Sequence, residues 1–116
     1  MRVIQKTIKK TADLAAQSAA LATINPDLLI VFGSVEHFTG ADFAATLRTA
    51  LPGTALIGCS TAGEITPDGV DDGTCSLTAI KFDAATLTQA NTPLAGMDDS
   101  FAAGERLGRQ LVSSGL

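Results

Sequence analysis

The run Gly58-Cys59-Ser60-Thr61-Ala62-Gly63-Glu64 sets a thiol, two hydroxyls and a carboxylate between two glycines. Such a segment can hold a small polar molecule. Hydroxyls and free backbone N–H groups suit a carboxylate, and an acid suits an amine. Gly58 and Gly63 allow tight turns and close approach of backbone. A second segment, Gly33-Ser34-Val35-Glu36-His37, carries the chain's single histidine. If the two loops lie side by side, Ser34, His37, Cys59, Ser60, Thr61, Gly63 and Glu64 become the contacts of one small ligand. The enzymatic alternative makes Cys59 a nucleophile with His37 as its base, in a thiolate–imidazolium pair. Against it stands Cys59 as a small buried residue closing a strand. His37 equally reads as a surface loop residue, and Glu64 as the cap of a turn.

Sharper motifs fail on their context. Gly58-x-Ser60-x-Ala62 resembles the strand–turn–helix elbow of serine hydrolases, but Pro67 and Asp68-Gly69 follow where a helix is required, and the histidine lies upstream. No phosphate-binding lysine and no following helix support a P-loop or dinucleotide fingerprint. The acids of 68–73 do not match calcium-loop spacing and read as a surface turn. No metal or cofactor is expected.

The elements that must position these residues follow from periodicity. The pattern from Thr7 to Ile24 predicts a helix, with Ile8, Ala12, Ala15, Ala19 and Ala22 inward and Leu14 and Leu21 on the flank. The apolar run 28–32 predicts a strand buried on both faces. Residues 41–51 predict a helix stopped by Pro52-Gly53, and 55–59 a second strand, together a right-handed βαβ unit. Ligands of open α/β sheets bind beyond the carboxyl ends of the strands, which is where both loops fall. Further on, 75–82 and 87–92 predict strands joined as an antiparallel hairpin. Asp98-Asp99-Ser100 predicts the cap of a last helix, in which Gly104 and Gly108 suggest close packing on the sheet. The expected fold is α/β in one domain spanning 1–116: a parallel βαβ core extended by an antiparallel hairpin, with helices covering the sheet.

Composition limits the partners. The 116 residues are 46% hydrophobic and 17% charged, with no Trp or Tyr, so an aliphatic core is expected. Net charge is −4, unevenly spread. Four of the 8 basic side chains (Arg2, Lys6, Lys9 and Lys10) fall in the first ten residues with no acid among them, so the other four face all 12 acids. That basic start is read as a solvated helix face. An acidic body repels phosphate backbones, which argues against nucleic acid. No run is long enough to span a bilayer, and Asp13 and Gln17 interrupt any signal-peptide core. Cys59 and Cys75 are expected to be reduced, and the protein cytoplasmic.

The stretch Leu56-Ile57-Gly58-Cys59-Ser60-Thr61-Ala62-Gly63-Glu64-Ile65 resembles the N-terminal domain of FIST proteins, sensory domains of bacteria and archaea also found in some eukaryotic F-box proteins. Pro26 to Ser34, Leu51-Pro52-Gly53 and Gly69-Val70 through Phe82 fit the resemblance, which covers about 12 to 112. It implies a non-catalytic sensory role, with a small ligand such as an amino acid and a signalling output domain or protein as partners. It maps the Cys-Ser-Thr run onto Cys59, Ser60 and Thr61, and implies no catalytic residues. FIST N-terminal domains are longer, so the chain is read as a truncated or short version. A homo-oligomer formed through an exposed edge strand would then supply the missing cover. A bare protein-interaction module is the third reading.

Overall fold

A computed structural model describes residues 1–40 and 42–115. Ala41, first residue of the expected helix 41–51, and Leu116 lie outside the described residues. Two compact units divide the chain, Met1–Ala85 and Thr86–Leu116.

The first unit is built on a four-stranded mixed sheet. Its strands are β1 (Arg2–Ile8), β2 (Leu28–Gly33), β3 (Ala55–Ser60) and β6 (Cys75–Lys81), in the order β1-β6-β2-β3. β2 and β3 run parallel, and β6 runs antiparallel to both β1 and β2. The short strands β4 (Glu64–Thr66) and β5 (Gly69–Asp71) form a separate hairpin. The α/β class, the parallel βαβ unit and the antiparallel extension are those expected. The expected strand 87–92 is absent, and its place beside β6 belongs to β1 and β2.

Register assigns each face. Cys75, Leu77 and Ala79 of β6, Leu29 and Val31 of β2, and Ile8 of β1 form the buried core face. Helix α1 (Leu14–Ala22) packs there through Leu14, Ser18 and Leu21, with Ser18 Oγ donating to the Leu14 carbonyl at 2.6 Å. Helix α3 (Asp42–Ala50) packs through Phe43 and Leu47. Leucines with the spacing of two helical turns bury more apolar area than the alanine stripe expected for α1, so they set its inward face. The long N-terminal helix is a second correction. Of the expected helix 7–24, Thr7 and Ile8 close strand β1, Thr11–Asp13 is a 3-10 turn and α1 itself covers Leu14–Ala22. The basic start read as a helix face is β1, where Val3, Gln5 and Thr7 alternate with Ile4, Lys6 and Ile8 along an edge.

The opposite face carries Val3, Gln5 and Thr7 of β1, Ser76, Thr78 and Ile80 of β6, Ile30 and Phe32 of β2, and Ile57 and Cys59 of β3. Val3, Phe32 and Ile57 remain 50%, 45% and 60% exposed, so 28–32 is not buried on both faces as its continuous apolar run suggested.

Two turns of chain fix the start of β2. Asn25 takes φ 48°, the left-handed conformation that ends helices, just before Pro26. Asp27 then binds across the sheet, its carboxylate accepting from Lys81 Nζ at 2.6 Å and from the Phe82 N–H at 2.8 Å.

The second unit is an irregular stretch leading to a 3-10 turn (Met97–Asp99) and helix α4 (Ser100–Ser113). Asp99 stands at the N-cap position of α4, within the expected Asp98-Asp99-Ser100 cap, but its side chain makes no capping bond and takes a different role. Its carboxylate receives Arg106 Nη1 at 3.1 Å and Nη2 at 2.7 Å, while Arg106 Nε donates to Thr92 Oγ1 at 2.9 Å. Gln110 Nε2 donates to the Asn91 carbonyl at 2.9 Å, so α4 holds the stretch before it. A Cβ added at Gly104 or Gly108 meets nothing within 4 Å, so these glycines do not serve close packing.

Candidate functional site

The two expected loops do meet. β2 and β3 end together, with Gly33 opposite Ser60. The Thr61 N–H donates to the Gly33 carbonyl and the Ser34 N–H to the Thr74 carbonyl, each at 2.9 Å. These bonds carry the chain from β3 into the Thr61–Gly63 loop and from β2 into the single helical turn α2 (Val35–Phe38). They also occupy the Thr61 N–H, which the sequence reading left free for a ligand.

At the centre of this junction is Glu64, only 3% exposed. Its two carboxylate oxygens accept hydroxyls from Thr61 and Thr74. Burial pushes the Glu64 carboxyl up, but the hydroxyls of Thr61 and Thr74, and the charge of His37, outweigh it and hold the group below the usual carboxylate range. Glu64 is therefore a buried, ionised and satisfied acid. Beside it the Cys75 thiol is pushed up to about 12, by burial first and by the charge of Glu64 second.

His37 is 5% exposed, a buried residue and not a surface one. Its Nε2 lies 3.1 Å from the Gly73 carbonyl and its Nδ1 3.3 Å from Thr11 Oγ1. A carbonyl can only accept, so Nε2 carries a proton and donates to Gly73, while Nδ1 pairs with the Thr11 hydroxyl. His37 thus joins α2, the turn before α1 and the turn before β6. Its ring is tilted at 51° to Phe43, centroids 6.4 Å apart.

Cys59 is exposed, opposite Phe32 on the second face of the sheet. The His37 ring nitrogens are engaged by Thr11 and Gly73, and the structure places no Cys59–His37 hydrogen bond among the described residues. Ser60 is exposed at the end of β3. Ser34 opens α2 with its carbonyl accepting from the His37 N–H at 3.0 Å, and its side chain makes no capping bond.

Thr61, Gly63 and Glu64 are brought together at one wall of a cleft of about 450 Å³ on the second sheet face. Its other walls are Ile30, Phe32 and Ile65, and the polar side chains of Gln5, Ser76 and Thr78. Gln5 Nε2 donates to Ser76 Oγ at 3.0 Å. Sequence reasoning missed Gln5, Ser76, Thr78 and Thr74. The strict alternation of Cys75, Leu77 and Ala79 with Ser76 and Thr78 was the signal that a polar stripe faces away from the core. Thr74 left no such signal. Among the described residues no group of three or more His, Cys, Asp or Glu side chains could hold a metal, and no helix is long and apolar enough to cross a membrane.

The FIST N domain family model matches residues 27–116. The chain belongs to the FIST N family, a family of sensory, signal-transduction domains. The matched residues hold every strand but β1, together with the Thr61–Glu64–Thr74 junction and His37. Comparison with curated proteins and with solved structures returns no match.

Proposed function

We propose that this chain is a non-catalytic sensory input domain that takes a small ligand, of the amino-acid class, into the cleft beside Thr61, Gly63 and Glu64. The observation that carries the reading is the make-up of that cleft. Ile30, Phe32 and Ile65 offer an apolar bed, and Gln5, Ser76 and Thr78 offer neutral hydrogen-bonding groups on the same face. Pockets for small ligands combine an apolar lining with a few convergent polar groups in this way. Glu64 adds a fixed negative charge at one wall, which favours an amine over a phosphate. A signalling partner would read the occupied state, and the free thiols of Cys59 and Cys75 suit the cytoplasm.

Thermal melts against a panel of amino acids and related metabolites test the reading. A ligand at a hundred times its Kd adds about 2.7 kcal/mol of stability. Thr78→Arg, which fills the cleft from a half-buried position, should abolish the shift while leaving the ligand-free melt nearly unchanged. A panel that moves nothing defeats the sensory reading, and a shift that survives Thr78→Arg defeats this site.

A further inference from the structure

We propose that the outer edge of β1 is a docking strand for an acidic, extended peptide segment of a partner protein, a role that does not depend on the ligand cleft. β1 ends the sheet, paired to β6 along its full length from Arg2↔Lys81 to Ile8↔Cys75 and, among the described residues, to no strand on its other side. Alternate residues of an antiparallel edge turn their N–H and C=O groups outward. Among the described residues no backbone group of another element meets them there. An added strand satisfies such groups directly.

Charge selects the occupant. Arg2 and Lys6 lie in β1, and Lys9 and Lys10 follow it. Among the described residues these four form one ion pair, Lys9–Asp71 at 4.0 Å between exposed side chains, and Arg2 lies near enough to Asp83 to help lower its carboxyl. The rest of the chain is acidic, so this edge is a positive strip on a negative body. Basic side chains on an edge strand oppose its pairing with a second copy of itself, because like charges would face one another across the new ladder. The same side chains attract glutamates or aspartates at alternate positions of an incoming strand. Val3, half exposed on the second face, gives that strand an apolar neighbour.

The probe is a short fluorescein-labelled peptide alternating Glu and Val, followed by fluorescence anisotropy with the full chain near physiological salt, where exposed charges act over only about 8 Å. Saturable binding is expected, and the Lys6→Glu, Lys9→Glu, Lys10→Glu triple variant should weaken it by about tenfold or more. The same peptide N-methylated at alternate backbone nitrogens should lose binding, a test that leaves the protein unaltered. Hydrogen exchange should show added protection in Arg2–Ile8. The proposal is overturned if the acidic peptide fails to bind, if its N-methylated form binds equally well, or if a single-stranded oligonucleotide of equal charge competes on equal terms.

Discussion

The Glu64 carboxylate accepts the hydroxyl of Thr74, ten residues further along the chain at the threshold of β6. With Thr61 on its other oxygen, that one side chain ties the loop after β3 and the β4–β5 hairpin to the centre of the sheet. The cleft wall formed by Thr61, Gly63 and Ile65 therefore has its geometry set from beneath by a buried charge.

Breaking this junction should be costly. Hydrogen bonds to a charged group contribute roughly 1.5–3 kcal/mol, and a buried oxygen left without a donor loses comparable stability. Thr74→Val should thus lower the urea-unfolding free energy by about 1–3 kcal/mol with an unchanged m-value. A variant as stable as the parent would mean that the Thr74 hydroxyl is not holding Glu64.

Acid should act on the same group. The folded-state value of Glu64 is depressed, so the unfolded chain binds its proton more readily than the folded chain. Its contribution is present above the ordinary value of 4.5 and disappears as pH falls from there through the depressed value. Glu64→Gln should be less stable than the parent near neutrality, and the gap should narrow below about pH 4.5 in parallel urea titrations. A gap that widens in acid would reverse the assignment.

Glycines at three places should respond differently to alanine. At Gly33 a Cβ would sit 2.8 Å from Cys75 Cβ and 2.9 Å from its Sγ, and at Gly58 it would land on the Val31 carbonyl, 2.8 Å from the carbonyl carbon. Gly33→Ala should cost about 1–3 kcal/mol, and Gly58→Ala more, since backbone of the neighbouring strand must move. Gly104→Ala lies in open space within α4 and should raise helix stability by about 0.5–1 kcal/mol. Circular-dichroism melts of the three variants give the order directly.

The two thiols should separate cleanly. Cys59 is exposed, while Cys75 is buried with its thiol pushed up to about 12. Since only the thiolate attacks, iodoacetamide at mildly alkaline pH should add one group per native chain, at Cys59, and a second only after denaturation. Mass spectrometry locates the adducts, and native labelling of Cys75 would contradict its burial.

What could be read in the residues was the local pattern. The apolar runs at 28–32 and 55–59, and the turn chemistry between them, specify the parallel pair and therefore the place where the loops meet. Thr61, Gly63 and Glu64 were legible as a group because they follow a strand end. What escaped depends on pairing over distance. β1 reads as a helix start because its alternation is short and its partner lies far along the chain. Leu87–Thr92 has strand-like residues, but β1 and β2 already occupy both sides of β6. His37 shows no sequence sign of burial, since its partners Thr11 and Gly73 come from distant turns.

The pairing of Arg2 with Lys81 carries a consequence for how the molecule is made. Of the four strands in this sheet β1 leaves the ribosome first, yet its neighbour among the described residues is β6, the fourth of them to emerge. Closing so long a loop is slow, and the folding rate of the sheet is set by it. Until β6 arrives, the seven residues of β1 wait as an unpaired segment, and their positive charge is what keeps such segments on neighbouring nascent chains apart.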